Sequence, residues 1–122
     1  MQSTIVAVVD DDPSMRDALV RLLASYGIGS AAYESAEAFL ESHDPGHATC
    51  VVLDINLRGM SGIELRRRLK VMDPGLPVIF VTAHDDESTC TAAKATGCVA
   101  YLRKPFPAQM LLDAIKKAAA QA

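Results

Sequence analysis

The chain has 122 residues, half of them apolar and 22% charged, with a net charge of −3. Such a chain buries about two-thirds of its unfolded surface in one domain, residues 1–122, and its composition excludes a disordered or low-complexity protein. The acid excess argues against direct nucleic-acid binding by this domain.

The first apolar run, Ile5-Val6-Ala7-Val8-Val9, reads as a strand that ends on Asp10-Asp11-Asp12. Asp12 followed by Pro13 is an N-cap and a first-turn proline, and Met15, Leu19, Leu22, Leu23 and Tyr26 then recur at helical spacing until Gly27. A weaker strand is predicted over residues 30–33, and Ser35 caps a short helix carrying Ala36, Phe39 and Leu40. Cys50-Val51-Val52-Leu53 is the third strand and ends on Asp54. A turn with Gly59 and Gly62 leads to a helix with Leu65, Leu69 and Met72 on one side, broken by Asp73-Pro74-Gly75. Val78-Ile79-Phe80-Val81 runs into Thr82, and the stretch after Asp85-Asp86 holds Ala92, Ala93 and Ala95 before stopping at Gly97. Val99-Ala100-Tyr101-Leu102 runs through Arg103 into Lys104-Pro105, and the final helix carries Leu111, Leu112, Ile115 and Ala119.

Five strand–helix repeats with continuous apolar strands predict an α/β protein, a five-stranded parallel sheet with helices on both faces. No apolar run approaches the roughly 20 residues of a membrane span, and Met1-Gln2-Ser3 lacks the charged start of a signal peptide. A cytoplasmic protein without membrane contact is expected. Cys50, Cys90 and Cys98 are odd in number and have no CxxC spacing, so neither a disulfide framework nor a thiolate metal site is expected. Cys50 and Cys98 read as small buried residues. Arg66-Arg67-Arg68 with Lys70 reads as the solvated face of a helix, and His43 and His47 are given no role.

In open α/β sheets, ligands sit outside the carboxyl ends of the strands. Here those ends carry acid, acid, hydroxyl and amine, which predicts one site. Asp10, Asp11 and Asp54 face the single ammonium of Lys104, and the remaining negative charge calls for a cation. Oxygen ligands alone select a hard divalent ion, in the pattern of Mg²⁺. A carboxylate can take a phosphoryl group covalently, and phosphoryl transfer otherwise needs alignment and charge neutralisation. Asp54 stands alone at its strand end and is the better nucleophile, while the paired Asp10 and Asp11 are better metal ligands. Lone strand-end acids are usually caps or turn formers, but capping does not explain four such ends together.

These residues resemble the receiver domain of two-component response regulators, over essentially the whole chain. The resemblance rests on Val8-Val9-Asp10-Asp11-Asp12, Leu53-Asp54 with Gly62 eight residues on, Val81-Thr82-Ala83 and Lys104-Pro105-Phe106. Ser35-Ala36-Glu37-Ala38-Phe39-Leu40 and Thr82-Ala83-His84 add the flavour of the FixJ/NarL-like branch of this CheY-like, flavodoxin-like superfamily. It implies that Asp54 accepts phosphate from the phosphohistidine of a sensor histidine kinase or phosphotransfer protein. Asp11 would be the main ligand of Mg²⁺ (or Mn²⁺), with Asp10 helping directly or through water and the Asn56 carbonyl completing the set with Asp54. Thr82 and Lys104 would hold the phosphoryl group. Tyr101 matches the family's aromatic switch, although an amphipathic strand-edge tyrosine explains it equally well. Asn56 and His84 stand where side chains tune phosphoryl lifetime; a plain surface histidine is the alternative for His84.

The family usually has proline four residues after the acceptor, and this chain has Arg58. Without proline's fixed φ the loop is either more mobile or gains a cation at the cleft rim. The implied function is a phosphorylation switch on the face of the fourth helix, last strand and last helix, controlling a homodimer or an output domain, transcriptional in this branch. Beyond its own phosphorylation and slow autodephosphorylation, no enzyme activity is expected. The competing enzyme reading is a haloacid-dehalogenase-like phosphatase, which uses an Asp-x-Asp pattern; Asn56 occupies the place of its acid/base. A nucleotide- or flavin-binding module is disfavoured by the acidic first loop and the lack of GxGxxG.

Overall fold

A computed structural model describes residues 4–84 and 86–121; Met1, Gln2 and Ser3, read above for a targeting signal, lie outside the described residues with Asp85 and Ala122. The elements are β1 (Ile5–Val9), α1 (Pro13–Ser25), β2 (Gly29–Tyr33), α2 (Ala36–Ser42), β3 (Cys50–Asp54), α3 (Gly62–Met72), β4 (Val78–Thr82), α4 (Glu87–Ala95), β5 (Ala100–Arg103) and α5 (Ala108–Gln121). The strands form one parallel sheet in the order β2-β1-β3-β4-β5. No described helix is long and apolar enough to cross a membrane.

Alternate strand residues face opposite sides of the sheet, which divides the core in two. Ala7, Val9, Val51, Leu53, Val78 and Phe80 pack with Phe39, Leu65, Leu69 and Ala93 from α2, α3 and α4. Val6, Val8, Val52, Ile79, Val81 and Leu102 pack with Leu19, Leu23, Leu111 and Ile115 from α1 and α5. Burying the central strands on both faces explains why they read as unbroken apolar runs rather than alternating ones.

Asp12 and Ser35 cap their helices as expected, and the structure adds Ser61 and Asp86 as caps of α3 and α4. Asp12 accepts from the Ser14 N–H at 2.9 Å, with Pro13 in the first turn. Ser35 accepts from Ala38, Ser61 from Glu64 and Asp86 from Thr89. Each satisfies an N–H that the first helical turn leaves without a partner.

Several sequence expectations need correction. Tyr26, the C-cap of α1, and Met72, the last residue of α3, are 56% and 47% exposed. Ala118, not Ala119, is the buried alanine of the last turn of α5. Cys98 is only half-buried, whereas Cys50 is fully buried and its thiol is pushed up to about 12 by desolvation.

Arg66 is the larger correction. It lies inside rather than on the solvated face, 6% exposed, while Arg67 and Arg68 are exposed. Its guanidinium donates to the carbonyls of Leu76 and Gly97, each at 3.2 Å, and so ties the loop before β4 to the loop before β5. Burial lowers its pKa, and its Nε finds no acceptor among the described residues. His43 also has a partner after all. Its Nε2 is 3.0 Å from Asp73 Oδ2, and its ring lies 4.8 Å from that of Phe39, joining the ends of α2 and α3.

Candidate functional site

The strand registers bring the polar ends level. Val9 pairs with Leu53, Asp54 with Val81 and Thr82 with Arg103, so Asp10, Asp54, Thr82 and Lys104 emerge along one edge of the sheet. Carboxylate oxygens of Asp10, Asp11 and Asp54 all lie within 4.8 Å of one another. Lys104 Nζ donates to Asp10 Oδ2 at 2.9 Å and to Asp54 Oδ2 at 3.3 Å. The peptide bond between Lys104 and Pro105 is cis.

Asp10 is 1% exposed and is held on several sides. Its Oδ1 accepts from the Asp12 N–H at 2.9 Å, and its carbonyl accepts from Arg16 at 2.8 Å. Arg16 was not singled out in the sequence, although it lies one helical turn beyond Asp12. Asp54 is 6% exposed. Burial pushes its pKa upward; the Asn56 N–H, 3.0 Å from Oδ1, and the Lys104 charge work the other way, and the Asp10 charge adds to the rise. For Lys104, burial favours the neutral amine, but the Asp10 hydrogen bond and the Asp54 and Asp10 charges outweigh it and hold the pKa above the usual lysine value.

Gly62 closes the loop under Asp54. A Cβ there would run into the Asp54 carbonyl oxygen and lie 2.9 Å from Ile55 Cα, so glycine is required for backbone to pass this close. The rest of the loop is pinned from two sides. Arg58 donates its N–H to Asp11 Oδ2 at 3.1 Å, and Met60 donates to Glu37 Oε2 at 3.1 Å. The exposed Glu37 carboxyl is held below its usual range by its own N–H and that of Met60.

Thr82 is fully buried, and its hydroxyl is fully engaged. It donates to the His84 carbonyl at 2.8 Å and accepts from the His84 N–H at 3.1 Å and from Asn56 Nδ2 at 2.9 Å. The His84 and Asn56 residues are exposed at the rim. Tyr101 is half-buried, packed against the core on the α2–α4 side of the sheet. An apolar groove of about 380 Å³, lined by Met15, Leu19, Leu22 and Phe106 among others, opens beside Lys104.

A doubly covered parallel sheet with an acidic pocket, a lysine and a buried hydroxyl at its carboxyl edge defines a class of phosphate-handling α/β signalling domain. Residues 6–116 match the response regulator receiver domain, and the chain belongs to that family. It is 41% identical over 111 residues to Nodulation protein W of Bradyrhizobium diazoefficiens, covering 91% of this chain and 49% of that protein. To the transcriptional regulatory protein FixJ of the same organism it is 38% identical over 117 residues, covering 96% and 57%. The crystal structure of a CheY-like receiver domain protein from Methanospirillum hungatei superposes with a TM-score of 0.90 at 26% identity, covering 98% of this chain and 97% of that one. The chain thus spans about half the length of these two relatives. It is a receiver domain of two-component response regulators, FixJ-like in its relatives, with the five-stranded fold expected. The haloacid-dehalogenase alternative finds no support.

Proposed function

We propose that this receiver takes a phosphoryl group onto Asp54 from the phosphohistidine of a sensor histidine kinase or phosphotransfer protein. An Asp54 carboxylate oxygen attacks phosphorus, the P–N bond breaks and its electron pair leaves on the imidazole. The observation that supports this most is Asp54 itself, buried yet unshared by any cap, with Asn56 N–H and Lys104 already directed at its two oxygens. The apolar groove beside Lys104 offers the donor protein a surface next to the acceptor.

The donor set fits a hard divalent ion. Three carboxylates with one lysine leave negative charge uncompensated, and the ligands are oxygens throughout. Asp11, Asp10, Asp54 and the Asn56 carbonyl are the ligands we assign to Mg²⁺ (or Mn²⁺), which when bound neutralises the oxygens of the transferring group. Lys104 pairs with the phosphoryl group, and Thr82 donates to it after its hydroxyl leaves the His84 carbonyl. Tyr101, on the neighbouring strand, follows that movement. The domain acts in the cytoplasm, without direct nucleic-acid or membrane contact, as family membership and the acid excess suggest.

Phosphorylation then biases the face made by α4, β5 and α5 towards homodimerisation or control of a transcriptional output. Adding beryllofluoride with Mg²⁺ should shift the domain to a dimer in size-exclusion chromatography with light scattering. An unchanged mass would count against the dimer.

Asn56 and His84 set the phosphoryl lifetime in this reading. The Asn56 amide holds Thr82 in its resting position, so Asn56→Ala frees the hydroxyl and also opens the rim to water. Dephosphorylation followed after removing the donor should change several-fold in Asn56→Ala and less in His84→Ala, because His84 meets Thr82 through its backbone, which the substitution keeps. Unchanged rates in both would remove the tuning role.

A further inference from the structure

Arg58 makes two contacts that a proline there would not make. Its N–H donates to Asp11 Oδ2 at 3.1 Å, and its guanidinium Nε stands 3.7 Å from the same oxygen. Proline has neither an N–H nor a charge. Arg58's side chain is 92% exposed, so packing does not hold the guanidinium there; the attraction of the acidic pocket does. Asp11, at 23% side-chain exposure, is the most accessible of the three clustered carboxylates and the one Lys104 does not reach.

Lys104 and Arg58 therefore divide the three carboxylates between them. Lys104 bridges the buried pair Asp10 and Asp54, leaving one negative charge between them, and Arg58 covers Asp11 at the mouth. We propose that Arg58 is a built-in counter-cation that competes with the divalent metal for Asp11 and lowers the affinity of the metal-free domain for Mg²⁺. This rests on the metal site proposed above. The loop after β3 is thereby tied through the Arg58 guanidinium to the loop after β1 until metal displaces that contact.

The test is calorimetric titration of Mg²⁺ into the wild-type domain and into Arg58→Ala, Arg58→Lys and Arg58→Pro. Removing an exposed ion pair should tighten Mg²⁺ binding about two- to five-fold in Arg58→Ala. Arg58→Pro, which also lacks the N–H donor, should gain more, about ten-fold. Arg58→Lys keeps the charge and should stay near wild type. Raising KCl to about 0.5 M should shrink the wild-type-to-alanine difference, because screening acts on exposed charges. In ¹⁵N spectra the residue 58 amide should move as Mg²⁺ is added. An alanine variant that binds Mg²⁺ equally or more weakly overturns the competition while leaving the metal site intact. A wild-type domain that binds no Mg²⁺ overturns the metal site and the competition with it.

Discussion

Asp54→Asn should accept no detectable phosphoryl group, from either a phosphohistidine donor or acetyl phosphate, when intact mass is followed. An amide oxygen is a poor nucleophile, and the neighbouring carboxylates are engaged elsewhere. Asp10 is held by Lys104 and the Asp12 N–H, and Asp11 by Arg58. Phosphate found on Asp10 or Asp11 in the variant would overturn the assignment of the acceptor. The same substitution tests the electrostatics. Burial raises the Asp54 pKa above its unfolded value, so the folded state binds this proton more tightly than the unfolded chain does. Stability then falls as pH rises through that window, and above it the charged Asp54 subtracts from stability. In metal-free buffer Asp54→Asn should therefore melt above wild type at neutral pH. The gap should close as pH is lowered into the carboxylate range and Asp54 becomes protonated. Wild type melting higher at neutral pH would mean that Lys104 and the Asn56 N–H outweigh burial.

The elements that sequence alone located share one property: their signals are local. Apolar runs such as Val78-Ile79-Phe80-Val81 mark strands buried on both faces, and Asp12 and Ser35 announce helix starts within three residues of the N–H groups they cap. That Asp10, Asp54, Thr82 and Lys104 would gather was legible for the same reason, since the parallel topology brings every strand end to one edge. The site's internal wiring was not. Whether the Arg58 N–H meets Asp11, or the Asn56 amide meets Thr82, depends on the path of a loop whose anchors are 47 and 26 residues away. Arg66 was misread because a run of three arginines looks solvated, yet position 66 shares a helix face with Gly62 and Leu69, both buried. That periodicity was the available signal. His43 offered none, because its acceptor, Asp73, lies 30 residues on at the end of another helix.

Lys104→Ala should destabilise the metal-free domain by about 3 kcal/mol in urea unfolding with EDTA, the low end for breaking a buried ion pair. The low end applies because the Lys104 side chain is 17% exposed, so water compensates part of the loss, while that of Asp10 is 1% exposed and cannot gain a hydration shell. The lysine is held above its usual pKa by Asp10 and Asp54 despite burial. Its contribution is therefore fully present below the ordinary lysine value and is lost only as pH rises through the raised one. Lys104→Met separates charge from packing, since it keeps an apolar stem beside Phe106 and Met15 in the groove. If charge dominates, methionine should be nearly as destabilising as alanine. Mg²⁺ should then stabilise both variants more than wild type, because a cation that binds only the folded state replaces the missing positive charge. That rescue should not extend to signalling. Without an ammonium to pair with the phosphoryl group, beryllofluoride should no longer shift the variants towards the dimer, even where Mg²⁺ has restored their stability. A variant that is fully stable in EDTA would show that the Asp10, Asp11 and Asp54 cluster needs no internal cation. A variant that still dimerises with beryllofluoride would place the reading of the phosphoryl group on Thr82 alone.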